Sequence, residues 1–188
     1  MLPDVLLDKA IHYAVGGMEE EEQDGFEILI EFLPDLQALV EGLRLTVSAL
    51  AASSGAIAAP AALKERVFAS LGKLPPRVVQ EGLVATDPGG LIQWVNADFT
   101  AMCGYSLTEL KGRKPGHVLQ GRDTDMAAVA RIRAALRAGR GCRESLVNYH
   151  KDGSRYRVDV RITAILDDDA KPLWFVARER LLAESTAA

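Results

Sequence analysis

Cys103, Cys142, His12, His117 and His150 hold most of the reactive chemistry open to this 188-residue chain. The two cysteines form neither a CxxC pair nor a disulfide framework, and as isolated thiols they read as small buried hydrophobes. The three histidines lie far apart, outside any pattern of metal-ligand spacing. Asp167-Asp168-Asp169 lacks the spaced oxygen ligands of a calcium loop and reads as a solvated turn. Glu19 to Glu22 suit the start of a helix, where exposed N–H groups favour each negative charge by about 0.3–1 kcal/mol. No nucleophile–base pair, no GxxxxGK and no GxGxxG is present. Enzyme chemistry has no foothold, and the chain reads as a binding or signalling module.

Such a module needs a scaffold, and the stretch that organises it runs from Asn96 to Gln120. Its apolar positions Phe99, Met102, Leu107 and Leu110 are interrupted by Gly104, Gly112, Pro115 and Gly116. Breakers at that spacing predict several very short helices. Strand-like runs flank them: EGLVATD and LIQWVN before, then RESLVNYH, RYRVDVRITAIL and PLWFVARER after. Short helices inserted into an antiparallel sheet make an α+β cup. In the strand after the Lys151-Asp152-Gly153-Ser154 turn, Tyr156, Val158, Val160, Ile162 and Ala164 share one face, expected to be the inner one. Asp123, Thr124 or Asp125 is placed to cap the helix MAAVARIRAALRA, whose Val129, Ile132 and Leu136 should cover the cup.

The first part of the chain has a different character. Residues 1–74 hold 12 acidic and 5 basic side chains, whereas residues 75–188 hold 14 acidic and 17 basic. Four helices are predicted there. The first is VLLDKAIHYAV, capped by Asp4, with Leu6, Ala10, Ile11, Ala14 and Val15 on one face. A second carries Phe26, Leu29, Ile30 and Leu33. Pro34 then opens a third to about residue 52, with the stripe Leu36, Leu39, Val40, Leu43, Val47 and Leu50. ALKERVFASL follows the linker SSGAIAAPAA, and Lys73-Leu74-Pro75-Pro76 marks a joint. Two domains are expected, helical over 1–74 and α+β over 75–188. The acidic half argues against direct nucleic-acid binding. No apolar run approaches the roughly 20 residues of a membrane helix, and Asp4 and Asp8 interrupt any signal pattern, so a cytoplasmic location with no membrane contact is expected.

NADFTAMCGYSLTELKGR, followed by LQGRDTD, VARIRAALRAGR, LVNYHKDG and FVARER, resembles the PAS sensory family over residues 78–183, and within it the flavin-binding LOV branch. The resemblance implies a five-stranded antiparallel sheet with short helices. Photoactive members carry a cysteine after Gly-Arg-Asn in a short helix, and it bonds to flavin on illumination. The matching residues 112–120 contain no cysteine, and Cys103 stands too early in the motif, so no covalent flavin adduct is expected. Gln120 and Asn148 match flavin-contacting residues of that branch. Val158 replaces its second asparagine and Glu179 its final-strand glutamine. A valine cannot pair a flavin edge, and a carboxylate only accepts unless burial keeps it protonated. Haem needs an axial ligand such as histidine, and His117 is the candidate with sensible placement. The resemblance leaves the cofactor unknown: flavin, haem, another small ligand or a core filled by side chains. In the last case Asn148 is a satisfied sheet residue and Glu179 an edge charge facing solvent.

Residues 12–51 with the helix after them are similar to the sigma-binding domain of bacterial anti-sigma factors, without the zinc site of the HxxxCxxC form. A dimerisation bundle gives the same pattern. The expectation is a cytoplasmic regulator: a PAS sensor coupled to helices that bind another protein, a sigma factor by resemblance, with a homodimer as the companion expectation. The alternative is a flavin- or haem-binding redox or light sensor that dimerises through its N-terminal helices.

Overall fold

A computed structural model describes residues 2–53 and 81–182. The expected linker, fourth helix and joint (residues 54–76), with the 74/75 domain boundary, and the tail beyond residue 182 lie outside the described residues. Three helices come first: α1 (Asp4–Ala14), α2 (Glu20–Phe32) and α3 (Pro34–Ser53). β1 (Glu81–Thr86) and β2 (Ile92–Val95) form a hairpin, followed by the short helices α4 (Ala97–Cys103), α5 (Leu107–Leu110) and α6 (Pro115–Leu119). The longer α7 (Met126–Arg137) leads into β3 (Cys142–Tyr149), β4 (Arg155–Leu166) and β5 (Pro172–Leu181). The five strands form one antiparallel sheet in the order β2-β1-β5-β4-β3. The expected α+β class and the five-stranded cup are what the chain adopts.

Local chemistry explains the breaks. Asn96 caps α4 by accepting from Phe99 N at 2.9 Å, and the same Oδ1 accepts from Leu83 N of β1. Its amide donates to the Glu81 carbonyl, so one side chain ties the short helices to the sheet. Gly104 ends α4 with a φ of 79°, a conformation that glycine adopts without steric penalty. Ser106 and Glu109 form a capping box at α5, and Pro115 occupies the first turn of α6. Asp125, one of the three expected candidates, caps α7 through Ala127 N.

Two apolar cores lie on opposite faces of the sheet. In front, Val84, Ile92, Val95, Phe99, Met102, Cys103, Leu110, Val129, Leu146, Tyr156, Val158 and Val160 pack inside the cup, with Ile162 against them. The expected inner face of β4 is therefore correct from Tyr156 to Ile162, whereas Ala164 belongs to neither core. Behind, Leu6, Ala10, Phe26, Ile28, Leu29, Leu36 and Val40 of the helices share a core with Leu83, Ala85, Ile165 and Val176 of the strands. Over residues 2–53 the helices thus complete their burial on the sheet and do not close it among themselves. The amphipathic pattern predicts that these faces are buried, but not against what.

Three helix details differ from expectation. Pro3 precedes α1 and Asp4 is its first residue, with no side-chain cap. On α1, Val5, Leu6 and Ala10 are buried, whereas Ile11 and Val15 are exposed. The stripe on α3 is buried at Leu36 and Val40 but leaves Leu50 70% exposed.

Candidate functional site

Strand alternation decides which polar groups enter the cup. Along β5, Val176 belongs to the back core, so Phe175, Ala177 and Glu179 face forward. On β3, Leu146 and Asn148 do the same, and on β4 Val160 and Ile162. These residues line a cavity of about 520 Å³, closed from the other side by Leu119 and Gln120 of α6 and its end, and by Val129, Ile132 and Leu136 of α7. Lys114, His117, Arg133 and Arg137 also line it, and their exposure places them at its mouth. The result is an apolar slot with polar groups on the sheet side and cations at the opening.

The polar groups inside have unmet bonding capacity. Asn148 is 3% exposed and Glu179 is 5% exposed. Asn148 Oδ1, Glu179 Oε2 and the Tyr156 hydroxyl have no hydrogen-bond partner. A buried polar atom left unpaired costs about 1–3 kcal/mol, so such atoms call for an explanation. Burial pushes the Glu179 carboxyl up to about 7. Burial, and then the nearby Glu179, raises the Tyr156 hydroxyl well above its ordinary value. Burial also raises the thiols of Cys103 and Cys142, which favours their protonated form.

The expected site residues fall into three groups. Gln120, Asn148 and Glu179 line the cavity together. His117 stands exposed at the mouth, where it is poorly placed to face a buried metal centre. Val158 is fully buried in the front core beside Leu146 and does not line the cavity. The reading of Asn148 as a satisfied sheet residue and of Glu179 as a solvent-facing edge charge does not hold. Both are buried and each keeps an unpaired atom, because alternation along β5 turns position 179 inward.

Sequence reasoning missed two contributors. Tyr156, directly opposite Asn148 in register, lies in the front core behind the cavity lining; its hydroxyl is the third unpaired atom, and its ring lies 4.3 Å from that of His150. Thr124, expected only as a possible cap, is buried; its hydroxyl donates to the Val147 carbonyl and accepts from Gly121 N. It pins the segment between α6 and α7 to β3. Its position in a polar run (GRDTD) concealed this role.

A curved antiparallel sheet with short helices across its front and a slot between them is the architecture of a sensor domain. A family profile described as "PAS domain" matches residues 80–177, and the chain belongs to the PAS domain family. Phototropin-2 of Oryza sativa subsp. japonica is 40% identical over 95 residues, 50% of this chain and 10% of the phototropin. A blue-light photoreceptor of Listeria monocytogenes is 36% identical over 102 residues, 53% of this chain and 40% of that protein. The LOV domain from Erythrobacter litoralis EL346 blue-light activated histidine kinase superposes with a TM-score of 0.51 at 30% identity, covering 54% of this chain and 94% of that domain. The light-state Aureochrome1 LOV structure gives 0.53 at 29% identity, covering 57% and 84%. The chain thus spans well under half the length of these curated relatives. No described helix is long and apolar enough to cross a membrane.

Proposed function

We propose that the cup is a non-covalent flavin site and that the chain is a signalling sensor of the LOV type. The observation that carries this reading is the pair of unpaired buried atoms on Asn148 and Glu179 in the wall of an apolar slot. A flavin has flat apolar faces, a polar edge of adjacent donors and acceptors, and in its mononucleotide form a phosphate. In this reading Asn148, Gln120 and Glu179 pair the ring edge. Val129, Leu136, Leu146 and Val160 exclude water from the ring faces. Lys114, Arg133 and Arg137 neutralise the phosphate at the mouth. When bound, a flavin supplies blue-light absorption and reversible uptake of electrons.

No cysteine stands among residues 112–120, and neither Cys103 nor Cys142 lines the cavity. The site therefore works without a bond between sulfur and flavin. Haem is the weaker fit, because its axial bond would fall to His117 at the exposed mouth, and the unpaired groups match a polar ring edge better than an iron centre.

The output is carried by the helices behind the sheet. A change in the cup alters the strands, and the strands share their rear core with α1–α3. A bias of about 1–3 kcal/mol between two packings is enough to change what those helices bind. A second copy of the chain and a protein partner, a sigma factor by the resemblance of residues 12–51, are the proposed contacts. The absorption spectrum of the purified full chain tests the cofactor: a flavin spectrum supports this reading and a haem spectrum refutes it. Sedimentation of the full chain tests the dimer, which a monomer at all concentrations would exclude.

A further inference from the structure

Glu179 is walled in by uncharged neighbours. Across the sheet it pairs with Gly82 of β1 and Val160 of β4, and Oε2 has no partner. The titratable groups nearest it are Tyr156 of β4 and Cys103 of α4, and burial raises the pKa of both, so both are neutral at pH 7. Across the cavity stand His117 of α6, Lys114 before it, and Arg133 and Arg137 of α7, all at the exposed mouth. Desolvation is the force acting on the carboxyl, with no cation offsetting it. Asn148 adds an unpartnered acceptor, Oδ1, to the same wall. An ionised Glu179 would make that wall acceptor-only. A protonated one sets a donor and an acceptor together, the complement of a ring edge where a carbonyl neighbours an N–H.

We propose that Glu179 meets the ligand as the neutral acid, donating its proton in a hydrogen bond to an acceptor atom on the flavin's polar edge, so that the proton sets ligand affinity and its loss releases the ligand. The proposal rests on the flavin reading above. It makes the carboxyl at this position a specificity determinant, and couples occupancy of the cup to proton uptake.

The test is titration of the full chain with flavin mononucleotide from about pH 6 to about pH 9, beside Glu179→Gln, whose amide donates at every pH. Wild-type affinity should stay level to near neutrality and then weaken by about tenfold per pH unit. The variant should bind with level affinity throughout. A wild-type profile as flat as the variant's overturns the proposal and leaves the flavin reading standing. Absence of binding by both chains at every pH overturns the reading and the proposal together. An infrared measurement on the flavin-free chain tests the proton independently of ligand. A protonated-carboxyl band at about pH 6 that is missing from Glu179→Gln supports the proposal, and loss of that band by about pH 5 contradicts it.

Discussion

Gly25 of α2 rests so closely on Thr163 of β4 that a Cβ at position 25 would stand 2.8 Å from the threonine methyl. Asp24, beside it, accepts from Arg161 of β4 at 2.6 Å. A glycine in mid-helix weakens the helix, and its use here lets the α2 backbone reach the back of the sheet. The contact joins the helical layer to the strands that wall the cup.

Gly25→Val should therefore lift α2 from the sheet and destabilise the chain by about 1–3 kcal/mol, the usual effect of overpacking. Gly42 of α3 offers the internal comparison, since a Cβ there meets nothing within 4 Å. Gly42→Ala should stabilise by about 0.5–1 kcal/mol. Urea denaturation of the two variants checks both signs, and equal effects would show that α2 is not in tight contact with β4.

Glu179 predicts an unusual pH dependence for the flavin-free chain. Its folded carboxyl titrates near 7, above the ordinary 4.5, so between those values the folded state holds a proton that the unfolded state has lost. Stability from this group is therefore full below about pH 4.5, falls as pH rises, and levels off above about pH 7, a loss of ~3 kcal/mol. Carboxyls held low by partners, such as Glu81 beside Arg178 and Arg180, act in the opposite sense at acid pH. The measurement is therefore a difference, the Tm of wild type against Glu179→Gln across this range. Glu179→Gln should gain on wild type as pH rises, and parallel curves would contradict the account.

Much of this could be read from residue order. Alternation along RYRVDVRI places the inner face of β4, and the breakers between Gly104 and Gly116 divide the front of the cup into short helices. Asn148 and Gln120, which line the cavity, stand out in the sequence because the LOV-like motif surrounds them. Glu179 was ambiguous for a physical reason: a charged residue near the end of a final strand usually faces water, and only the phase of PLWFVARER relative to the rear core turns it inward. The docking of α1–α3 was hidden for a similar reason. An amphipathic helix declares that one face is buried, but Phe26 and Leu36 carry no mark showing that Leu83 and Val176 cover them. Gly25 was the available signal, a glycine in the middle of a helix where the backbone must come close to the side chains of Thr163 and Val176.

Cys103 provides a separate prediction about chemistry. Its thiol sits in the front core and its pKa is raised by burial. Cys103→Ala should leave flavin affinity and any light-induced change in the flavin spectrum unaltered, while loss of a buried sulfur lowers stability by about 1 kcal/mol. Abolition of the light response in this variant, with flavin still bound, would establish sulfur chemistry that the cavity lining argues against.

Calorimetric titration of flavin mononucleotide into the full chain, wild type beside Asn148→Leu, tests the cup most directly. The account predicts one flavin per wild-type chain and an affinity about 10- to 100-fold weaker in the variant, whose own stability is unchanged or higher once an unpaired acceptor is gone. Failure of the wild-type chain to bind, or equal binding by both, would contradict the claim that Asn148 and Glu179 keep their unpaired atoms for a flavin.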